Sequence, residues 1–350
     1  MNKSLSSAIR KSQSSFLAPF FLLLPFILAV VHPLPIWAQP ERLIVIDKAS
    51  QILILYTSAR FPMVFPVSLG VDPVSDKRRR GDCATPEGLY RISHKKMSKK
   101  FHQFIGLSYP NATDACEALI RDIITRDECS RIRSAQIRSL PPPDDTPLGN
   151  HIGIHGGGVV NLSDGKAATN WTEGCIAMEN DHIGSVFSAV DPGDPILIFH
   201  SGKDLYGMLR PLTSPCDTDP SSGVCPDGIY RGEAWIETSI GIIQAELIDS
   251  RDFTRSLTCR LYTDTDAKDP AVFIEDLDGD GKWGPLDRFS GGLMGEADPP
   301  TIIERIRQEI ADALKRGAIA PLSDKALAFS QQRSSTTSLN HGPGSMAETR

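Results

Sequence analysis

The sequence predicts a mainly β fold, and three observations carry that expectation. Short runs of β-branched and aliphatic residues recur over about residues 42–200, turn-forming clusters separate them, and the helical segments between them are short. Strands punctuated by turn signals in this way point to a sheet-based domain rather than to a helical bundle.

The elements follow in order. Residues 42–46 (RLIVI) and 51–56 (QILILY) flank the turn-like Asp47-Lys48-Ala49-Ser50 and read as an opening hairpin. Residues 63–69 (MVFPVSL) form a third strand that stops at Gly70. A loop holding Thr85-Pro86-Glu87-Gly88 leads into a strand over 89–93, then a polar stretch with a helix near 115–125. Residues 141–145 (PPPDD) are a loop, and 151–155 (HIGIH) alternate as a strand does. Asn180 caps a short helix running to Ala189, and 195–199 (PILIF) form a closing strand.

Beyond residue 200 the composition changes. Residues 216–227 are polar and turn-rich, and further strands are expected at 233–238, 242–248 and 257–262. Residues 301–316 set Ile302, Ile306, Ile310 and Leu314 on one face and end before Gly317, which predicts a helix with a glycine stop. From about residue 323 Ser, Thr, Gln and Gly dominate, so 321–350 is expected to be a disordered tail. The chain thus divides into a main domain over 42–200, a small α+β extension over 201–320, and the tail.

The net charge of −6 excludes a nucleic-acid footprint, which needs a clustered basic face. The one strong basic run, Lys77 to Arg80, is flanked by Asp76 and Asp82 and reads as a solvated loop. At the N-terminus, Lys3, Arg10 and Lys11 precede an apolar run over 16–31, and Ala38 closes it. That pattern predicts a secretory signal peptide over residues 1–38, and hence export to the periplasm or cell envelope of a bacterium. As a membrane span the run is short and carries Pro19 and Pro25, so an uncleaved anchor is the weaker reading. No later segment is apolar enough to span a bilayer.

Export makes the seven cysteines informative, because an odd count leaves one unpaired. Cys216 and Cys225 bracket a loop that could close on itself, and Cys116 and Cys129 bracket another short segment. Cys175, in NWTEGCIAM, is different. Alone, a cysteine after a glycine is most often a buried thiol. A nucleophilic thiolate needs a base in reach and a backbone able to stabilise an oxyanion. His155, in IHGGG at a strand end, is the candidate base. HGGG also occurs in esterase oxyanion loops, but those need G-x-S-x-G, which this chain lacks. His151 and His155 could hold a metal with Cys175, yet no further ligand is evident, and His151 reads as a packed histidine.

Together these residues resemble the L,D-transpeptidase family, the YkuD-type catalytic domain. Its pattern is a histidine, a spacer, Ser or Thr, a residue that is usually His, and Gly-Cys. Here His155 is followed by sixteen residues and then Thr172-Glu173-Gly174-Cys175. FPVSLG (65–70), GDCATPEGLYRI (81–92), FIGLSYPN (104–111), GNHIGIHGGG (149–158) and TEGCIAM (172–178) follow in the family's order. The resemblance covers about 42–200 and implies a β-sandwich catalytic domain with short helices. It implies that Cys175 is the acyl-accepting nucleophile and His155 its general base, with the Gly156 carbonyl orienting the ring. Main-chain N–H groups around Gly174 and Cys175 would form the oxyanion hole, with Thr172 and Glu173 in the positioning loop.

The implied reaction is acyl transfer on peptidoglycan stem peptides, without metal or organic cofactor, in cell-wall biogenesis or remodelling. Hydrolysis by the same thiol, or a wall-binding module that has lost turnover, are the alternatives. Glu173 departs from the usual histidine, and Ala177 from a common polar residue. A carboxylate close to the sulfur would raise the thiol pKa. A separate motif, 275–287 (EDLDGDGKWGPLD), places Asp276, Asp278, Asp280 and Asp287 at positions one, three, five and twelve of a calcium loop. A structural Ca²⁺ is therefore expected as a candidate, against the plainer reading of an acidic turn.

Overall fold

The computed structural model describes residues 40–339 except 60, 164–165, 216–228, 253, 265, 279, 281–282 and 294–297. The segment expected to be a signal peptide, the Cys216–Cys225 loop and the last residues of the tail lie outside that set. In the first half come β1 (Leu43–Asp47), β2 (Ile52–Tyr56), β3 (Met63–Pro66), β4 (Gly88–Ser98), β5 (His102–Leu107), α1 (Ala112–Ile120) and α2 (Arg126–Ile137). There follow β6 (Gly153–His155), β7 (Asn161–Ser163), β8 (Lys166–Ala168), β9 (Ile176–Ala177), α3 (Asn180–Ala189), β10 (Pro195–Phe199) and α4 (Leu205–Leu209). The remainder holds β11 (Ser214–Pro215), β12 (Ile229–Thr238), β13 (Gly241–Ser250), β14 (Arg255–Tyr262), β15 (Val272–Asp276), β16 (Arg288–Gly291), α5 (Pro299–Lys315) and α6 (Asp324–Leu339).

The expected mainly β architecture is present. An eight-stranded sheet runs in the order β3-β2-β1-β10-β4-β5-β6-β9, and a six-stranded sheet runs from β11 to β16 in sequence order. Within the first, β1–β10 and β6–β9 are parallel. Every residue of β1 and of β10 is buried. Successive side chains of a strand point to opposite faces, so burial of all of them requires cover on both sides. Ile44, Ile46, Ile196 and Ile198 pack with Leu53, Tyr90, Ile105 and the α3 residues Ile183 and Val186. Leu43, Val45, Leu197 and Phe199 face the opposite core, built from Leu209, Ile236, Ile243, Leu261, Ile306 and Ile310. The segment beyond residue 200 thus covers the second face of the first sheet, and the described residues form one compact unit.

Three sequence readings change. The strand expected over 151–155 shrinks to β6, because His151 has a left-handed backbone (φ +63°) that a strand does not accept. A second helix, α2, follows the one expected near 115–125. Its apolar pattern is weak, since only Cys129 and Ile132 are buried, but Thr125 and Glu128 form a full capping box. The tail expected to be disordered instead begins with α6. Ala326 and Phe329, three positions apart on one helical face, pack with Trp235 and Tyr262. Average composition missed this docking, which one aromatic at the right spacing supplies.

Cys116 and Cys129 lie in different apolar clusters, Cys116 beside Ile120 and Tyr230, Cys129 beside Ala115 and Ile132. Among the described residues no helix is long and apolar enough to cross a membrane.

If the second core ties the two halves together, Phe199→Ala should destabilise the whole unit by about 3–5 kcal/mol. The measurement is the denaturant midpoint, with residues on both sides of position 200 losing protection in one transition. Two separate transitions would contradict the shared core.

Candidate active site

The sheet positions the site through its last two strands. Parallel pairing sets Ile154 beside Ile176 and His155 beside Ala177, so the run into His155 and the run out of Cys175 lie next to each other. Gly153 permits this crowding. A Cβ there would meet the Phe104 ring at 2.4 Å and the Ile105 carbonyl at 2.6 Å.

His155 is buried, and its Nδ1 lies 2.6 Å from the carbonyl oxygen of Gly156. A carbonyl only accepts, so Nδ1 carries the proton and Nε2 is left as the basic nitrogen. Phe101 stacks on the imidazole at 4.2 Å between centroids, and Trp171 meets it edge-on at 5.8 Å. Burial holds the His155 pKa below its ordinary 6.5; the Gly156 bond opposes that and the Lys100 charge reinforces it. Gly156 must be glycine, because a Cβ would stand 2.5 Å from Asn180 Oδ1 and 2.8 Å from the Phe101 carbonyl. Its N–H donates to that same carbonyl at 3.0 Å.

The cysteine loop is organised by Thr172. Its hydroxyl donates to the Cys175 carbonyl at 2.6 Å and accepts the Gly174 N–H at 3.1 Å. Gly174 has φ +125°, and a Cβ would lie 2.6 Å from the Ala84 carbonyl. Glycine alone fits, for both reasons. The Gly174 N–H is therefore occupied, which corrects the expectation that it faces an oxyanion; Gly174 acts through its conformation. Among the described residues the Cys175 N–H makes no hydrogen bond to backbone outside the strand ladders.

The Cys175 thiol sits 3.7 Å from the His151 carbonyl. Burial raises its pKa above the ordinary 9.0, the Gly153 N–H and the Lys77 charge pull the other way, and Glu173 adds a final upward contribution. Glu173 itself is exposed. His151 is exposed too and stands outside β6. Among the described residues no His–Cys group with metal-binding spacing occurs.

Sequence reasoning missed what supports the loop from below. Lys48, in the β1–β2 turn, is fully buried and donates to the carbonyls of Ser75 and Thr85 and to Glu87 at 2.6, 2.7 and 2.8 Å. Lys203 joins Glu87 at 2.7 Å. The Thr85 hydroxyl accepts the Gly70 N–H at 2.9 Å. A Cβ on Gly70 would stand 3.2 Å from the Gly174 Cα. The TPEG motif was legible as a motif, but its ammonium partner lies 39 residues upstream of Glu87.

A part-buried cysteine on a glycine-kinked loop leads into the strand paired with the one that carries His155, whose Nδ1 is fixed by a main-chain carbonyl; these are the parts of a cysteine–histidine site. Residues 41–198 match the L,D-transpeptidase catalytic domain, and that part of the chain is similar to this family. Among solved structures, an L,D-transpeptidase from Mycobacterium smegmatis is similar at 14% identity, over 45% of this chain and 58% of its own, with a TM-score of 0.26. One from Xylanimonas cellulosilytica aligns at 13% identity over 47% and 62% of the two chains, with a TM-score of 0.27. L,D-transpeptidase 1 of Mycobacterium tuberculosis aligns at 14% over 45% and 60%, with a TM-score of 0.25. The chain spans about three-fifths of the length of these solved chains. No curated protein matches it.

The calcium motif lies between strands, from the end of β15 to the start of β16. Carboxylate oxygens of Asp276, Asp278 and Asp287 come within 4.8 Å of one another, and Asp280 is not part of that group. Asp287 also accepts the N–H groups of Leu277 and Gly284, at 3.1 and 2.6 Å.

Because Glu173 is exposed, Glu173→Gln should leave the alkylation midpoint of Cys175 unchanged within error. A fall of one pH unit, ~1.4 kcal/mol, would instead place its carboxylate at the sulfur.

Proposed function

We propose that this chain transfers acyl groups on peptidoglycan stem peptides, with Cys175 as nucleophile and His155 as base, in the bacterial cell envelope. The observation that supports it most is the His155 Nδ1–Gly156 carbonyl bond of 2.6 Å, which leaves Nε2 basic on the strand beside Cys175. The Cys175 proton passes to Nε2 as sulfur attacks the carbonyl of the third, diamino residue. The Cys175 N–H receives the oxygen as it becomes negative. Collapse breaks the amide bond, and the departing amine of the terminal D-amino acid takes the proton back from His155. An acceptor amine then attacks the thioester with His155 again as base, releasing the thiol.

The two pKa shifts define the resting state. A thiol raised and an imidazole lowered both favour the neutral pair over a thiolate–imidazolium pair. Deprotonation is thus coupled to attack. The acid limb of the rate profile should lie below the ordinary histidine range, since His155 stays an unprotonated base until the pH falls through its lowered pKa.

Incubation with a tetrapeptide and intact-mass detection of a thioester on Cys175 tests the assignment. Cys175→Ser should form none, and His155→Ala should slow acylation by about 10²–10⁴-fold. Equal rates in wild type and Cys175→Ser would remove the cysteine from the mechanism. Muropeptide products joined to an added amine, rather than trimmed by water, distinguish transfer from hydrolysis.

For the loop between β15 and β16, the proposal is a structural Ca²⁺ held by Asp276, Asp278 and Asp287. Millimolar calcium should raise the melting temperature, since a ligand of the folded state stabilises it. Asp278→Asn should abolish the increment, and no shift in the wild type would leave an acidic turn.

A further inference from the structure

Among the described residues, the hairpin joining β4 to β5 carries Lys95, Lys96, Lys99, Lys100 and His102 within a few positions of its tip. A cavity of about 580 Å³ opens between that tip and the start of α3, with Lys99, Lys100, Phe101, His102, Gly157 and Asn180 on its walls. Phe101 is the ring stacked on His155, so the cavity lies one aromatic ring from the candidate base. The hairpin cannot drift far from this place, because the Phe101 carbonyl accepts the Gly156 N–H at 3.0 Å.

The Lys100 ammonium stands 4.9 Å from the centre of the Phe101 ring, and its charge reaches the imidazole. Lys99 and Lys100 are exposed, and no described carboxylate pairs with either. The other lysines of the hairpin are engaged differently: Lys95 donates to the carbonyls of Phe187 and Val190 at 2.7 and 2.5 Å, and Lys96 lies over Phe104. Just before α3, the Glu179 carboxylate accepts the Val159 N–H at 3.0 Å, and Asp181 occupies the helix's first turn.

Two cations at the mouth of this cavity fit one feature of the reaction proposed above, on which this inference rests. His155 must hand its proton to the amine of the departing D-amino acid. That amine and the terminal carboxylate sit on the same Cα, so the carboxylate lies on the His155 side of the site. We propose that Lys100, assisted by Lys99, binds the terminal carboxylate of the departing D-amino acid and so selects stem peptides that end in a free acid. Asn180, whose Oδ1 holds the Gly157 N–H at 3.0 Å, keeps the opposite wall in place.

The test compares two tetrapeptides, one ending in a carboxylate and one in a carboxamide, by the rate of thioester formation on Cys175. Wild type should prefer the acid by about tenfold or more, the range of a single ion pair worth ~1.4 kcal/mol. Lys100→Met should lower kcat/KM for the acid by about that factor and leave the amide unchanged. Lys100→Arg should retain most of the preference, and the double variant Lys99→Met/Lys100→Met should lose it. Equal losses on both peptides, or no loss on either, would overturn the assignment. Absence of any thioester in wild type would overturn the acyl-transfer reading itself, and this proposal with it.

Discussion

Two-sided burial of β1 and β10 is the constraint on which the rest of the structure depends. A parallel strand pair with apolar side chains on both faces is stable only when each face is covered. One face is closed by α3 and the strands leading to the site, the other by β12 to β15 and α5. Neither half of the chain could therefore keep the central strands dry by itself. The C-terminal region is part of the scaffold that holds the site. Gly317, following α5, has φ +70°, and a Cβ there would stand 2.2 Å from Leu43. Even the stop of α5 is thus shaped by the first strand.

From that scaffold, order passes to the cysteine through a buried charge. An ammonium as deeply buried as Lys48 is tolerable only with its hydrogen bonds made, and burial already pulls its pKa down. Its partners are the loop segments at Ser75, Thr85 and Glu87. Nearby, burial and the Glu87 charge push Asp76 up to about 7. Removing one member of such a pair costs roughly 3–5 kcal/mol, because the other charge is left unpaired. The loop so fixed presents the Ala84 carbonyl and the Thr85 hydroxyl to Gly174 and Gly70. The position of Cys175 is therefore set by contacts that converge from the N-terminal hairpin, far away in sequence.

Much of this was legible because the signals were local. RLIVI, QILILY and PILIF became β1, β2 and β10, since unbroken aliphatic runs have few other solutions at that length. The candidate site was legible because its motif keeps histidine, glycine and cysteine in a fixed order. The Gly156 carbonyl role implied by the resemblance agrees with the observed bond to His155. The misses have physical causes. α2 is held by its capping box and two buried residues rather than by an apolar stripe. α6 depends on a single phenylalanine finding Trp235 and Tyr262. His151 looked like a strand residue because the alternation HIGIH cannot reveal a left-handed φ. The Gly174 N–H was assigned outward because sequence does not show that the Thr172 hydroxyl already accepts it.

The raised thiol and lowered imidazole also bear on Glu173, which stands where the L,D-transpeptidase pattern usually has histidine. A site that stored a thiolate would be sensitive to an anion two residues before the sulfur. Here burial disfavours the thiolate, and Glu173 adds only the last of several influences on the thiol. Its carboxylate points into solvent, where its field is screened over about 10 Å at moderate ionic strength. The loop needs the backbone of that position and not its side chain: Thr172 ties the turn on either side of it, and Gly174 supplies the backbone geometry. A protonated thiol is also less prone than a thiolate to stray oxidation. The same burial that disfavours the Cys175 thiolate thus guards the sulfur against oxidation, and relaxes the demand on the residue beside it.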